Sequence, residues 1–203
     1  MIVQDEIDQK KRCFLRRATT AVGGLGLAAA TVPFVSYWLP SKDTEAASAP
    51  IKVDLSALKP RDQLTVPWLG MPIWFIYRDP TMLETLSKAT DDLRDPLSEQ
   101  DQQPAYCKNV YRSIKPQYFI GIGICTHLGC VPTYRPDAGS VTTSWLGGFY
   151  CPCHGSKYDL SGRVFQNVPA PLNLKIPNLM YTSETEILIG QDEQGVQGAI
   201  AIS

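Results

Sequence analysis

The chain has 203 residues, with 19 Lys and Arg against 20 Asp and Glu and a formal net charge of −1. That length holds one domain of moderate size plus accessory segments, and the near-neutral balance argues against nucleic acid, which needs a basic surface to displace counterions. Sixteen Pro and fifteen Gly, with Val, Ile, Tyr and Phe gathered in short runs, point to a mostly β domain.

Residues 1–17 carry Lys10, Lys11, Arg12, Arg16 and Arg17. Residues 18–39, ATTAVGGLGLAAATVPFVSYWL, contain no charged side chain. At about 1.5 Å per residue this stretch reaches roughly 33 Å, enough to cross a hydrocarbon core of about 30 Å, and it is read as a transmembrane anchor. Lys42, Asp43 and Glu45 follow it, so the basic excess lies on the N-terminal side. That asymmetry puts residues 1–17 in the cytoplasm and everything after residue 40 outside. Tyr37 and Trp38 suit an interfacial belt, and Pro33 predicts a kink. A cleavable signal peptide is the competing reading, but its apolar core is typically only about 7–15 residues. The stretch Lys11-Arg12-Cys13-Phe14-Leu15-Arg16 resembles a twin-arginine export signal, with Lys11-Arg12 in register with Phe14-Leu15.

Residues 40–50 are small, polar and without hydrophobic periodicity, which predicts a flexible linker. Strands are expected at 51–55, 63–66 and 72–77, and a short helix over 81–88 opened by Thr81. Residues 91–104, rich in Asp, Glu, Gln and Ser, read as an exposed insertion. Further strands are expected at 118–124, 145–150, 187–190 and 198–202. The strands at 118–124 and 145–150 run directly into two cysteine motifs.

Those motifs are Cys125-Thr126-His127-Leu128-Gly129-Cys130 and Cys151-Pro152-Cys153-His154-Gly155-Ser156. Four of the six Cys fall in them, too few and too compact for a disulfide scaffold, so they read as a site. Two Cys and two His could hold tetrahedral zinc. Structural zinc sites, however, usually leave two or more residues between paired ligands. Here Cys125 and His127 are separated by one residue, and zinc gives two of the four Cys no role. The other two Cys, Cys13 and Cys107, are read as plain free thiols.

The pattern C-x-H-x-x-C followed by C-x-C-H resembles the Rieske iron–sulfur proteins without a gap. The resemblance implies an antiparallel β-sandwich, residues 51–203, with an inserted cluster-binding subdomain at about 118–172. It implies one 2Fe–2S cluster, with Cys125 and Cys151 on one iron and His127 and His154 on the other. Imidazoles in place of two thiolates raise the potential, to between about −150 and +300 mV. Cys130 and Cys153 would pair as a disulfide joining the two loops, a bond that persists only in an oxidising compartment. Ser156 and Tyr158 match the positions that donate hydroxyl hydrogen bonds to a bridging sulfide and to a Cys sulfur. Residues 168–174 match the family's proline loop, with Val168 where Gly is usual. An export route for folded proteins suits a cluster inserted in the cytoplasm.

Within the family the features best match the iron–sulfur subunit of a bacterial quinol–cytochrome c oxidoreductase. That implies an inner-membrane chain with the Rieske domain in the periplasm, working with cytochrome b and a c-type cytochrome in a dimeric multi-subunit complex. His154 would meet quinol and accept its proton, and Leu128 would line the docking surface. The alternative is the small Rieske subunit of another periplasmic oxidoreductase such as arsenite oxidase.

Overall fold

The computed structural model describes residues 9–39, 41, 44, 49–88 and 91–195. The chain divides into two compact units, residues 1–46 and 47–203. Most of the expected linker and all of the strand expected at 198–202 lie outside the described residues.

The first unit carries helix α1 (Gln9–Ser36), which is long and apolar enough to cross a membrane. It starts earlier than the uncharged stretch because Lys and Arg are themselves good helix formers. It stops three residues short of Leu39, in a turn where the Tyr37 N–H donates to the Pro33 carbonyl at 3.1 Å. Pro33 lies inside the helix and has no N–H to offer the preceding turn. Leu25, Leu27, Val32, Phe34 and Val35 all stand exposed.

Among the described residues of the second unit every strand pairing is antiparallel, and the strands form three sheets of three. β1 (Ile51–Asp54) pairs with β9 (Glu186–Ile189), which also takes β8 (Leu179–Tyr181). β2 (Gln63–Trp68), β3 (Met71–Tyr77) and β4 (Tyr118–Ile122) form the second sheet. Leu69 and Gly70 both take positive φ, 52° and 72°, in the two-residue turn between β2 and β3. That turn matches the right-handed twist of the strands it joins. The third sheet is β5 (Thr133–Arg135), β6 (Gly148–Tyr150) and β7 (Lys157–Tyr158). Helix α2 (Pro80–Lys88) begins at a proline behind Asp79, whose Oδ1 accepts the Met82 N–H at 2.8 Å. Asp79 is therefore the cap, and the helix opens one residue before the expected Thr81.

Phe149 of β6 joins the second and third sheets. Its ring stacks on Trp74 of β3 at 4.9 Å between centroids and lies 5.6 Å from Phe119 of β4. β4 leads into Cys125 and β6 runs directly into Cys151, so this aromatic contact sets the spacing of the two cysteine loops. A short 3-10 turn at Ala105–Cys107 lies between α2 and β4. The polar segment 91–104 is not simply exposed. Leu93, Ser98 and Gln102 are buried, and the Arg94 and Gln166 N–H groups donate to the Val164 and Asp92 carbonyls at 2.9 and 2.7 Å. Its polar composition serves internal bonding: the Asp95 carboxylate accepts the Glu99 and Gln100 N–H groups at 2.8 and 3.1 Å.

Three guanidinium groups, Arg78, Arg112 and Arg163, are buried beside one buried carboxylate, Asp159. Arg163 Nε pairs with Asp159 Oδ2 at 2.7 Å. Arg112 instead donates to the carbonyls of Leu174, Ser161 and Gly162, and Arg78 to the Ser161 and Ser113 hydroxyls. Burial pulls Arg78 down to about 9 and Arg112 to about 10, so both stay charged at neutral pH. Together they pin the turn 159–163 that follows β7, and with it the position of Tyr158.

Candidate metal centre

The two cysteine loops have one hydrogen-bond plan. The Cys125 N–H donates to the Cys130 carbonyl at 2.7 Å, and the Gly129 N–H returns to the Cys125 carbonyl at 3.0 Å. In the second loop the Cys151 N–H donates to the Ser156 carbonyl at 2.8 Å, and the Gly155 N–H returns to the Cys151 carbonyl at 2.9 Å. Gly129 and Gly155 take φ of 81° and 77°, a left-handed turn that an L side chain resists. Each loop thus reads Cys-x-x-x-Gly, and each places its first Cys sulfur in the interior: Cys125 and Cys151 are both buried.

His127 and His154 lie edge to face with ring centroids 4.8 Å apart. His127 is partly buried and His154 exposed. Cys130 and Cys153 are joined as a disulfide with Cα atoms 6.7 Å apart, tying the loops together. In the shared plan Cys130 stands opposite Ser156, while Cys153 stands where the first loop has His127. The bond therefore crosses between unlike positions. The sulfurs of Cys130, Cys151 and Cys153 lie within 4.8 Å of one another. Two of these three are consumed by the disulfide, so that trio does not make a metal site.

Tyr158 is fully buried, and its hydroxyl lies 3.2 Å from Cys125 Sγ. Burial pushes the phenol well above its ordinary range, with the Cys125 contact adding to the effect, so it remains protonated and able to donate. Burial also raises the Cys151 thiol, while the backbone amides of Cys153 and His154 favour its thiolate. Ser156 is buried, and its Oγ accepts the Ala170 N–H at 3.0 Å, which leaves its own proton free to donate elsewhere. Through Ala170 that bond ties the proline loop to the second cysteine loop. Thr126 ties it to the first, its hydroxyl donating to the Leu172 carbonyl at 2.7 Å. Val168 contributes its carbonyl to Arg94 at 3.4 Å.

The structure therefore brings Cys125, His127, Cys151, His154, Ser156 and Tyr158 together on two disulfide-linked loops and the strand that follows. Two buried sulfurs, two imidazoles and a buried hydroxyl donor on one sulfur suit an iron–sulfur cluster's mixed donor set. Cys107 stands apart: it is buried outside the two loops, with its thiol pushed up to about 12 by that burial. Cys13 is exposed on α1. Sequence reasoning passed over Thr126 and the glycine pair, although the repeated Cys-x-x-x-Gly spacing was present to be read.

Comparison with known proteins gives the same direction. Residues 96–178 match the Rieske 2Fe-2S domain family, and residues 4–41 match the family described as Ubiquitinol-cytochrome C reductase Fe-S subunit TAT signal. The ubiquinol-cytochrome c reductase iron-sulfur subunit of Allochromatium vinosum is 52% identical over 188 residues, covering 92% of this chain and 91% of that one. Its counterpart from Bradyrhizobium diazoefficiens is 40% identical over 181 residues, covering 89% and 94%. A solved chain of a hyperthermophilic respiratory complex III aligns at 25% identity with a TM-score of 0.47, covering 86% of this chain and 98% of that one.

Proposed function

The chain belongs to the iron–sulfur subunits of ubiquinol–cytochrome c reductase, and from that premise we propose that Cys125 and Cys151 bind one iron of its 2Fe–2S cluster while His127 and His154 bind the other. The observation that carries this assignment is the Tyr158 hydroxyl, buried and 3.2 Å from the Cys125 sulfur between two loops of matching design. When bound, the cluster supplies one-electron oxidation and reduction at a potential raised by its imidazole ligands.

The protein's own groups do the rest. The subunit takes one electron from quinol and passes it to a c-type cytochrome. The disulfide and the proline loop close two sides of the centre, through Cys130–Cys153 and through the Ala170 and Leu172 contacts. His154 is left exposed, so quinol can reach its ring, and the imidazole is the group that accepts the quinol proton. Leu128, 70% exposed next to His127, offers an apolar surface to the quinol pocket of a partner subunit. Buried Ser156 and Tyr158 are placed to stabilise the reduced, more negative cluster by donating hydrogen bonds.

With α1 as its anchor, the chain is a single-pass protein of the bacterial inner membrane with the Rieske domain in the periplasm. Cytochrome b and a c-type cytochrome are its partners in a dimeric complex. Purification in detergent tests this. A haem b protein and a c-type cytochrome should co-purify with the chain, in ratio, and quinol should reduce the assembly. Co-purification with a molybdenum-containing subunit and no haem b would assign it to another periplasmic oxidoreductase.

A further inference from the structure

Thr126 stands between two of the proposed ligands, Cys125 and His127, and makes three polar contacts. Its hydroxyl lies 2.7 Å from the Leu172 carbonyl and 3.2 Å from the Tyr158 hydroxyl. Its backbone N–H donates to the Tyr158 oxygen at 3.1 Å.

Proton counting orders these contacts. A carbonyl only accepts, so the Leu172 bond takes the one proton of the Thr126 hydroxyl. Thr126 Oγ1 can then only accept from Tyr158. The phenol oxygen already receives the Thr126 N–H and has one proton to give. Two acceptors stand at equal distance from it, Cys125 Sγ and Thr126 Oγ1, each at 3.2 Å. With iron bound, the Cys125 sulfur is a thiolate and therefore also purely an acceptor. The single phenol proton is contested.

We propose that Thr126 is a positioning residue that divides the Tyr158 proton between its own hydroxyl and the Cys125 sulfur, holding the cluster's potential below the value an undivided Tyr158 bond would set. This rests on the reading of Cys125 as an iron ligand. A hydrogen bond to a ligand sulfur favours the reduced cluster, which carries more negative charge. A competitor for that hydrogen weakens the preference. The sign is therefore unusual: removing a hydroxyl next to the cluster should raise the potential, whereas removing the Tyr158 hydroxyl should lower it.

The test is the midpoint potential of the full-length chain in detergent, for four variants beside the wild type. Thr126→Val keeps the backbone N–H and loses the hydroxyl, and its potential should shift upward. Thr126→Ser restores an acceptor and should return the potential to the wild-type value. Tyr158→Phe should shift it downward. Thr126→Val combined with Tyr158→Phe should match Tyr158→Phe alone, because no phenol proton remains to be divided. A merely structural Thr126, holding the proline loop through Leu172, would lower the potential or release the cluster, and would do so with or without the phenol. An unchanged or lowered potential in cluster-bearing Thr126→Val overturns the proposal. So does an upward shift that persists in the double variant. Should Thr126→Val emerge without a cluster, Thr126→Ala must show the same upward shift, and loss of the cluster there too would mark the residue as structural. Wild-type protein without an iron–sulfur signal would instead overturn the ligand assignment, leaving the two failures distinct.

Discussion

Ser156 and Tyr158 reach the centre from a strand and the loop before it, with no freedom to turn away. The Ser156 oxygen is held by the Ala170 N–H, and the Tyr158 ring is enclosed in the core. A hydrogen bond to a charged group contributes about 1.5–3 kcal/mol, and for one electron roughly 59 mV corresponds to 1.4 kcal/mol. Ser156→Ala is expected to lower the cluster's potential by roughly 60–130 mV, and Tyr158→Phe to lower it as well. Voltammetry on variants shown to keep the cluster checks this, and unchanged potentials would reduce both residues to packing roles. Both were legible in the sequence because they stand at fixed short offsets from Cys151. Thr126 was not, because what gives it significance lies far along the chain: Tyr158 is 32 residues away and Leu172 is 46. Sequence spacing shows which residues share a loop; it does not show which loops meet.

Asp79 and the Cys130–Cys153 pair hold elements rather than chemistry. Asp79 accepts the Met82 N–H and the Thr81 hydroxyl at the start of α2, and Arg61 lies 3.2 Å away. Asp79→Ala should cost about 1 kcal/mol of stability. Partial burial raises this carboxyl, but its bonds to Thr81, Met82 and Arg61 outweigh burial and leave its pKa below the unfolded value. A depressed folded pKa means the stabilisation is present above the unfolded pKa of about 4 and is lost as pH falls through the folded value. Denaturant titrations should therefore show the Asp79→Ala deficit at neutral pH and a smaller one near pH ~3. An equal deficit at both would remove the charge from the explanation. The disulfide closes a loop with a sequence separation of 23. On the chain-entropy model this contributes roughly 3 kcal/mol, so replacing Cys130 and Cys153 by Ser should lower the denaturation midpoint accordingly. The two cysteine loops and the longer strands were readable from composition. β5, β7 and β8 were not, being only three, two and three residues long, too short to show a period of two. The strand expected over 145–150 shrinks to β6 because Gly147, just before it, takes φ of 106°, outside strand geometry.

At the scale of the whole molecule, the first unit carries a long helix whose apolar side chains stand exposed. The second unit has a continuous core of its own. The full chain should therefore stay with membranes through an alkaline carbonate wash, whereas a chain beginning at Ala47 should be recovered in the wash. Release of the full chain would contradict an integral anchor. The long apolar helix was legible because hydrophobic length is a property of local sequence. Cys125, His127, Cys151 and His154 are the proposed ligands of a 2Fe–2S cluster with two different iron sites. The most direct test is the electron paramagnetic resonance spectrum of the reduced, detergent-purified protein, read beside its metal and acid-labile sulfide content. Iron and sulfide are expected in equal amounts, with a signal whose average g value lies below that of all-cysteine clusters, both lost on replacing any of the four residues. Stoichiometric zinc without labile sulfide, or a cluster that survives the loss of His127 or His154, would contradict the assignment.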